Sequence, residues 1–302
     1  GLPRRARMSW FVKFWGTRGS TPAPGPQSRR YGGNTSCVEI HADPALLICD
    51  GGTGLRELGL DLLKRKKGEP IRGHFLFSHT HWDHIQGFPF FTPAYDPRNE
   101  FLVYGTSRGD RRTFDLLSGQ MRSEYFPVEF SELRSRIASA DLGDGHAHVE
   151  GFSVRCMEVK HPGRSFAFSF EREGKKVVYA TDNELDLMLA DPEQPKRDPD
   201  AVRSFPEALV EFMRGADLLI GDGQYTDEEY PTHVGWGHSR ATTLVDLAVA
   251  AQCRQLAVFH HDPNQSDRDV DRKIDLCRER AARHKSQLVV FGAREGLELR
   301  IG

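Results

Sequence analysis

Apolar runs far apart in this chain end in the same kinds of residue. The run "HFLFS" leads into His79, His81, Asp83 and His84, "VRCMEVK" into His161, "KVVYAT" into Asp182, and "QLAVF" into His260. Runs of that length, apolar and bounded by polar residues, read as strands buried on at least one face. A fold that satisfies this chain must therefore bring several strand ends, drawn from both halves of the sequence, to one edge. Imidazoles and carboxylates gathered there suit zinc or a similar first-row ion. Seven such groups are too many for one tetrahedral site, so two metals sharing a bridge fit the count.

The strand-like runs fall into two groups. "SWFVKFWG", "SCVEIHA", "ALLICD" and "HFLFSH" come first, with the helical pattern "GLRELGLDLLKRKK" following the third of them. "FSVRCMEVKH", "SFAFSFE", "KVVYATD", "DLLIGD" and "QLAVFHH" come second, interspersed with the helical "FPEALVEFMRG" and "SRATTLVDLAVAAQ". Two similar halves of this kind predict an α+β chain folded as a four-layer αββα sandwich. We expect one domain over residues 8–302, with Met8 the natural start and residues 1–7 a tag remnant or upstream extension. The less regular block at about 93–150, with Phe114, Tyr125 and Phe126, reads either as a lid or subunit contact over the site or as a surface excursion.

Charge and cysteine usage exclude some roles. The formal net charge of −2 gives no general attraction to a polyanion, so any contact with nucleic acid must be local. The five cysteines are odd in number and scattered, with no C-x-x-C, and read as buried thiols of a reducing compartment. No apolar run approaches the roughly 18 residues of a membrane span. The expectation is a cytoplasmic protein with no membrane partner.

With His79, His81, Asp83 and His84 in an H-x-H-x-D-H pattern, and "CDGGTG", "KHPG", "YATDNE" and "FHHDP" following in order, the sequence resembles the metallo-β-lactamase superfamily. That resemblance implies an αββα sandwich with a dinuclear site at one edge. It implies that His79, His81 and His161 hold one ion, that Asp83, His84 and His260 hold the other, and that Asp182 bridges them. Both would be divalent, zinc first and manganese as the alternative. His261 competes with His260, but adjacent strand residues face opposite ways, and the family pattern favours the first. Asp50, after "ALLIC", matches the family's early aspartate, which orients a metal-bound imidazole; it also reads as an ordinary turn residue.

Within the superfamily, "GWGHSRATT" resembles the tRNase Z-like and cyclic-nucleotide phosphodiesterase branch, where a histidine of a G-H-S-T motif lies beside the metals. His238 takes that place, and Arg240 stands where the motif has threonine, either as a second phosphate contact or facing solvent. Ser239 reads as the N-cap of a helix carrying Leu244, Leu247 and Ala251, whose positive end would favour an anion. A carboxylate partner for His238 is expected at Glu184 or Asp222. The function expected is hydrolysis of a phosphodiester, with His238 and Asp83 as catalytic residues. The substrate would be a cyclic nucleotide or short oligonucleotide, since no loop reads as a basic, glycine-rich arm for tRNA. Thioester or lactam hydrolysis is the alternative enzyme class, a metal-binding protein without turnover the alternative outside catalysis. A homodimer is common in the resembled branch.

Overall fold

The computed structural model describes residues 10–106 and 109–301; the expected start at Met8 and the extension before it lie outside the described residues. The strands are β1 (Phe11–Gly16), β2 (Cys37–Ala42), β3 (Ala45–Cys49), β4 (Arg72–Leu76), β5 (Glu100–Gly105), β6 (Arg136–Asp141), β7 (His146–Val149), β8 (Phe152–Val159), β9 (Ser165–Arg172), β10 (Lys175–Ala180), β11 (Leu218–Asp222), β12 (Gln255–Phe259), β13 (Val289–Gly292) and β14 (Glu298–Arg300). The helices are α1 (Gly54–Lys66), α2 (Trp82–Ile85), α3 (Arg112–Gly119), α4 (Gln194–Arg197), α5 (Glu207–Met213), α6 (Ala241–Ala250) and α7 (Asp267–Arg283).

Two seven-stranded sheets result, in the orders β14-β1-β2-β3-β4-β5-β6 and β13-β12-β11-β10-β9-β8-β7. One buried cluster, including Trp10, Phe14, Phe152, Tyr179 and Phe259, fills the space between the sheets. A second packs α1 against the first sheet through Leu55, Leu58 and Leu62. A third packs α5, α6 and α7 against the second sheet through residues such as Phe212, Leu244 and Ile274. This is the expected αββα layering, and both interfaces follow from residues spaced three to four apart along the covering helices.

The block expected to be irregular contributes two strands, β5 and β6, that extend the first sheet by parallel pairing from β4. Their runs "EFLVYG" and "RIASAD" are short and lie between polar segments, so neither stands out in sequence. The helix α7 was not expected either. Its many charges mask a buried stripe of Val270, Ile274, Cys277 and Ala281, and its start is fixed by a capping box between Ser266 and Asp269.

Strand direction decides where the chemistry goes. β3 and β4 run parallel, as do β10, β11 and β12, and β8 runs the same way as β10 because both are antiparallel to β9. Residues just past these strands therefore meet along one edge.

Candidate metal centre

His79, His81, His161 and Asp182 each offer one donor atom within 4.8 Å of the others, and Asp83, His84, Asp182 and His260 form a second such group. The two share Asp182, and its two oxygens divide between them. Oδ2 lies 3.4 Å from His79 Nε2 and 3.6 Å from His161 Nε2, whereas Oδ1 lies 3.1 Å from both His84 Nε2 and His260 Nε2. Asp83 Oδ2 is likewise 3.1 Å from His84 Nε2 and from His260 Nε2, and His81 Nδ1 is 3.1 Å from His161 Nε2.

These spacings suit a cation. Two donors on a tetrahedral ion with bonds near 2.05 Å stand roughly 3.3 Å apart. His79 Nε2 and His84 Nε2 are buried and, although carboxylate oxygens stand 3.1 to 3.4 Å away, neither makes a well-aligned hydrogen bond, as suits atoms that share a cation.

The opposite ring nitrogens are occupied, which fixes the free lone pairs on the cluster side. His84 Nδ1 donates to Asp50 Oδ2 at 2.7 Å, His161 Nδ1 to the Gly237 carbonyl at 2.8 Å, and His260 Nδ1 to Gln224 Oε1 at 2.8 Å. His79 Nδ1 lies 3.0 Å from Ser78 Oγ. Asp50 also accepts from the Ser78 amide and hydroxyl and from the Tyr179 hydroxyl, each at 2.7 Å. Asp50, Asp182 and His260 all have left-handed backbone, with φ of 59°, 48° and 62°. That conformation is uncommon outside glycine and turns the chain sharply as it leaves β3, β10 and β12.

The beta-lactamase superfamily domain matches residues 47–261, well over half of the chain. The chain belongs to the β-lactamase superfamily. Among curated proteins it is similar to a ribonuclease Z from Natronomonas pharaonis, 26% identical across 87% of this chain and 92% of that one. It is also similar to a ribonuclease Z from Methanosarcina acetivorans, 26% identical across 85% of this chain and 88% of that one. Of solved structures, the short form of human tRNase Z superposes with a TM-score of 0.62 at 18% identity, covering 97% of this chain and 99% of that one.

Electrostatics prepare this superfamily site for cations. Burial alone would raise the pKa values of Asp83 and Asp182, but the surrounding histidines outweigh it and hold both carboxyls below the usual range. Burial pushes His79 and His161 down, leaving neutral rings with available lone pairs. At His84 burial is outweighed by Asp182, Asp83 and Asp50, which raise its pKa; an incoming cation competes with that proton.

A third group within 4.8 Å comprises Asp182, Asp222, His238 and His260. Here the charges already pair, since His238 Nδ1 donates to Asp222 Oδ2 at 2.7 Å. The His238 ring lies 4.9 Å from that of His260 and 5.3 Å from that of His161. Glu184, the other partner considered for His238, instead accepts from the Gly235 and Gly237 amides at 2.7 Å and from the Tyr230 hydroxyl at 2.6 Å. His261 is buried facing away, with Nε2 donating to the Ala293 carbonyl at 2.9 Å.

The expectations of a Ser239 cap and of a helix end free to take an anion need correction. Ser239 is not the N-cap of α6; that place falls to Arg240, and the Ser239 hydroxyl donates to the Asn183 carbonyl and accepts from the Leu185 amide at 2.9 Å. The positive end of α6 is already neutralised by Asp186, which accepts from the Arg240 amide at 2.9 Å and the Thr243 hydroxyl at 2.7 Å. Arg240 is held by partners within the fold. Its guanidinium lies over the Tyr230 ring at 4.7 Å, with Asp186 and Asp227 at 3.6 and 3.7 Å.

Sequence reasoning missed Gln224, Ser78 and Tyr179. Tyr179 sits on β10 with its side chain between the sheets, and only the pairing of the two sheets shows that it reaches Asp50.

Proposed function

We propose that this chain is a metal-dependent phosphodiesterase that acts on RNA. His79, His81 and His161 would hold one divalent ion and Asp83, His84 and His260 a second, with Asp182 shared between them. The observation that carries the reading is the division of the Asp182 oxygens between two histidine groups. When bound, zinc or manganese ions in such a donor set polarise a phosphoryl oxygen and make a nucleophile available from water at neutral pH. Asp50 and Gln224 orient the imidazoles of His84 and His260, which limits where those ions can sit. Asp83, besides ligating, accepts from the Ser20 amide at 2.8 Å and so fixes the first loop against the site. His238, held protonated by Asp222, is placed to give a proton to the oxygen leaving phosphorus.

The substrate class comes from the relatives. Both curated proteins are named ribonuclease Z, which supports RNA over the cyclic nucleotide expected alongside a short oligonucleotide. Five free cysteines suit a reducing, cytoplasmic setting, and among the described residues no helix is long and apolar enough to cross a membrane. We further propose one domain over residues 8–302, with an inserted lid or subunit-contact segment at about 93–150, and a homodimer.

The experiment is a substrate panel on protein stripped by chelator and reloaded with zinc or manganese. Single-stranded RNA and a simple phosphodiester should be hydrolysed only by the reloaded protein, with about two ions per chain by elemental analysis. Faster turnover of a thioester or a lactam than of any phosphodiester would overturn the reading, and no turnover of anything would leave a metal-binding protein.

A further inference from the structure

Two indoles stand in solvent beside the histidines. Trp82 is 63% exposed and Trp236 62% exposed. Trp82 directly follows His81 and opens α2, the helix that carries Asp83 and His84. Trp236 directly precedes Gly237, whose carbonyl accepts the hydrogen bond from His161 Nδ1. Because His81 and His161 are themselves in contact, the two tryptophans flank one pair of histidines.

Neither is a loose surface residue. Gly235 and Gly237, on either side of Trp236, both donate to the buried Glu184 carboxylate, so the turn is pinned at two points. Their φ values of 86° and 93° belong to the left-handed region that glycine adopts readily, and the residue between them is carried outward. The Trp236 ring meets His233 edge-on at 4.8 Å, and His233 stacks on Tyr225 at 4.4 Å. Trp82 is fixed from the other direction, because Asp83 and His84 behind it are buried. An indole kept in water gives up the free energy that burial would supply. Two of them, held by rigid backbone at the rim of a metal centre, form flat apolar surfaces already arranged for a partner.

We propose that Trp82 and Trp236 are stacking platforms for the unpaired nucleobases on either side of the scissile phosphodiester. The proposal rests on the RNA phosphodiesterase reading and adds how that substrate is gripped. Stacking on aromatic rings tolerates every base, so platforms of this kind select unpaired strand without selecting sequence. They also answer a difficulty raised by the formal net charge of −2, which offers a polyanion no general attraction. Affinity drawn from base stacking does not need a basic surface.

The test compares metal-loaded wild type with Trp82→Ala, Trp236→Ala, the double alanine variant and the double phenylalanine variant. The substrates are a single-stranded RNA, the same RNA with abasic residues flanking the mapped cleavage position, and methyl 4-nitrophenyl phosphate. Each alanine should raise KM for the intact RNA by about 5- to 100-fold with little change in kcat, and phenylalanine should retain most of the affinity. Turnover of the abasic RNA and of the simple ester should be the same in wild type and variants. Unchanged KM for intact RNA, or an equal loss on the abasic RNA, would overturn the platforms. So would a double variant at half the wild-type mass whose loss tracks dissociation, which would make the tryptophans an interface between copies. Wild type that hydrolyses the simple ester but no RNA removes the platforms and leaves a phosphodiesterase; wild type that hydrolyses neither removes the reading beneath them.

Discussion

At the scale of single residues, the pairing of His238 with Asp222 makes a statement about pH. Burial by itself would lower the pKa of His238, but the carboxylates of Asp222, Asp182 and Asp83 together outweigh it and lift the value to about 9. If Asp182 and Asp83 hold cations as proposed, they would add less to this value, and Asp222, in direct hydrogen bond with the ring, would be the partner that sustains it. The form able to donate is the imidazolium, present below the pKa and lost as pH rises through it. Turnover of a substrate with a poor leaving group should therefore show an alkaline limb, and Asp222→Asn should move that limb toward lower pH. An aryl ester, whose leaving group needs little protonation, should show a weaker limb or none. A kcat profile that Asp222→Asn leaves in place would mean that another group supplies the proton.

At the scale of elements, the turn from Gly235 to Ser239 and the strand ends it abuts depend on each other. A Cβ added to Gly237 would come within 2.2 Å of His161 Nδ1, and its φ of 93° already disfavours any side chain. Gly237→Ala should thus displace His161 without touching the core, and metal content should fall from about two ions per chain toward one while circular dichroism stays the same. Full occupancy in that variant would show that the turn is more pliable than its hydrogen bonds imply. How far such elements were legible in sequence follows from the range of the forces involved. The ends of β4, β8, β10 and β12 could be read because an apolar run and the residue after it are neighbours in the chain. Ser239 was misread as a cap because the group that competes for the start of α6, Asp186, lies 54 residues earlier. Gln224 escaped notice, and Glu184 could not be told from Asp222 as the partner of His238, for a similar reason: the partners of Gln224 and Glu184 lie 36 to 53 residues further along the chain and reach them only when the second sheet and its loops have assembled. β6 was overlooked because a strand at the edge of a sheet needs less apolar sequence than one in its middle, whereas β5, paired on both sides, carries the apolar run "FLVY" and was passed over with the polar segments around it.

At the scale of the whole molecule, the seven residues of the candidate metal centre are divided by the chain itself. His79, His81, Asp83 and His84 follow β4 of the first sheet, whereas His161, Asp182 and His260 follow β8, β10 and β12 of the second. Asp50 spans the same divide, holding His84 with one hydrogen bond and receiving the Tyr179 hydroxyl from the opposite sheet with another. The chain passes from one sheet to the other at the turn around Gly143–Gly145, between β6 and β7, and returns only with β14, which pairs with β1. A protein cut at that turn becomes two pieces, each with an incomplete set of donors. The pieces should associate weakly when metal is chelated and tightly when zinc or manganese is added, as measured by sedimentation, with His260→Ala in the second piece weakening the gain. Association of equal strength with and without metal would mean that the apolar contact between sheets and the returning strand suffice alone. If metal does decide it, the site works as a clasp, and assembly of a severed chain becomes a sensor for free zinc that needs no substrate at all.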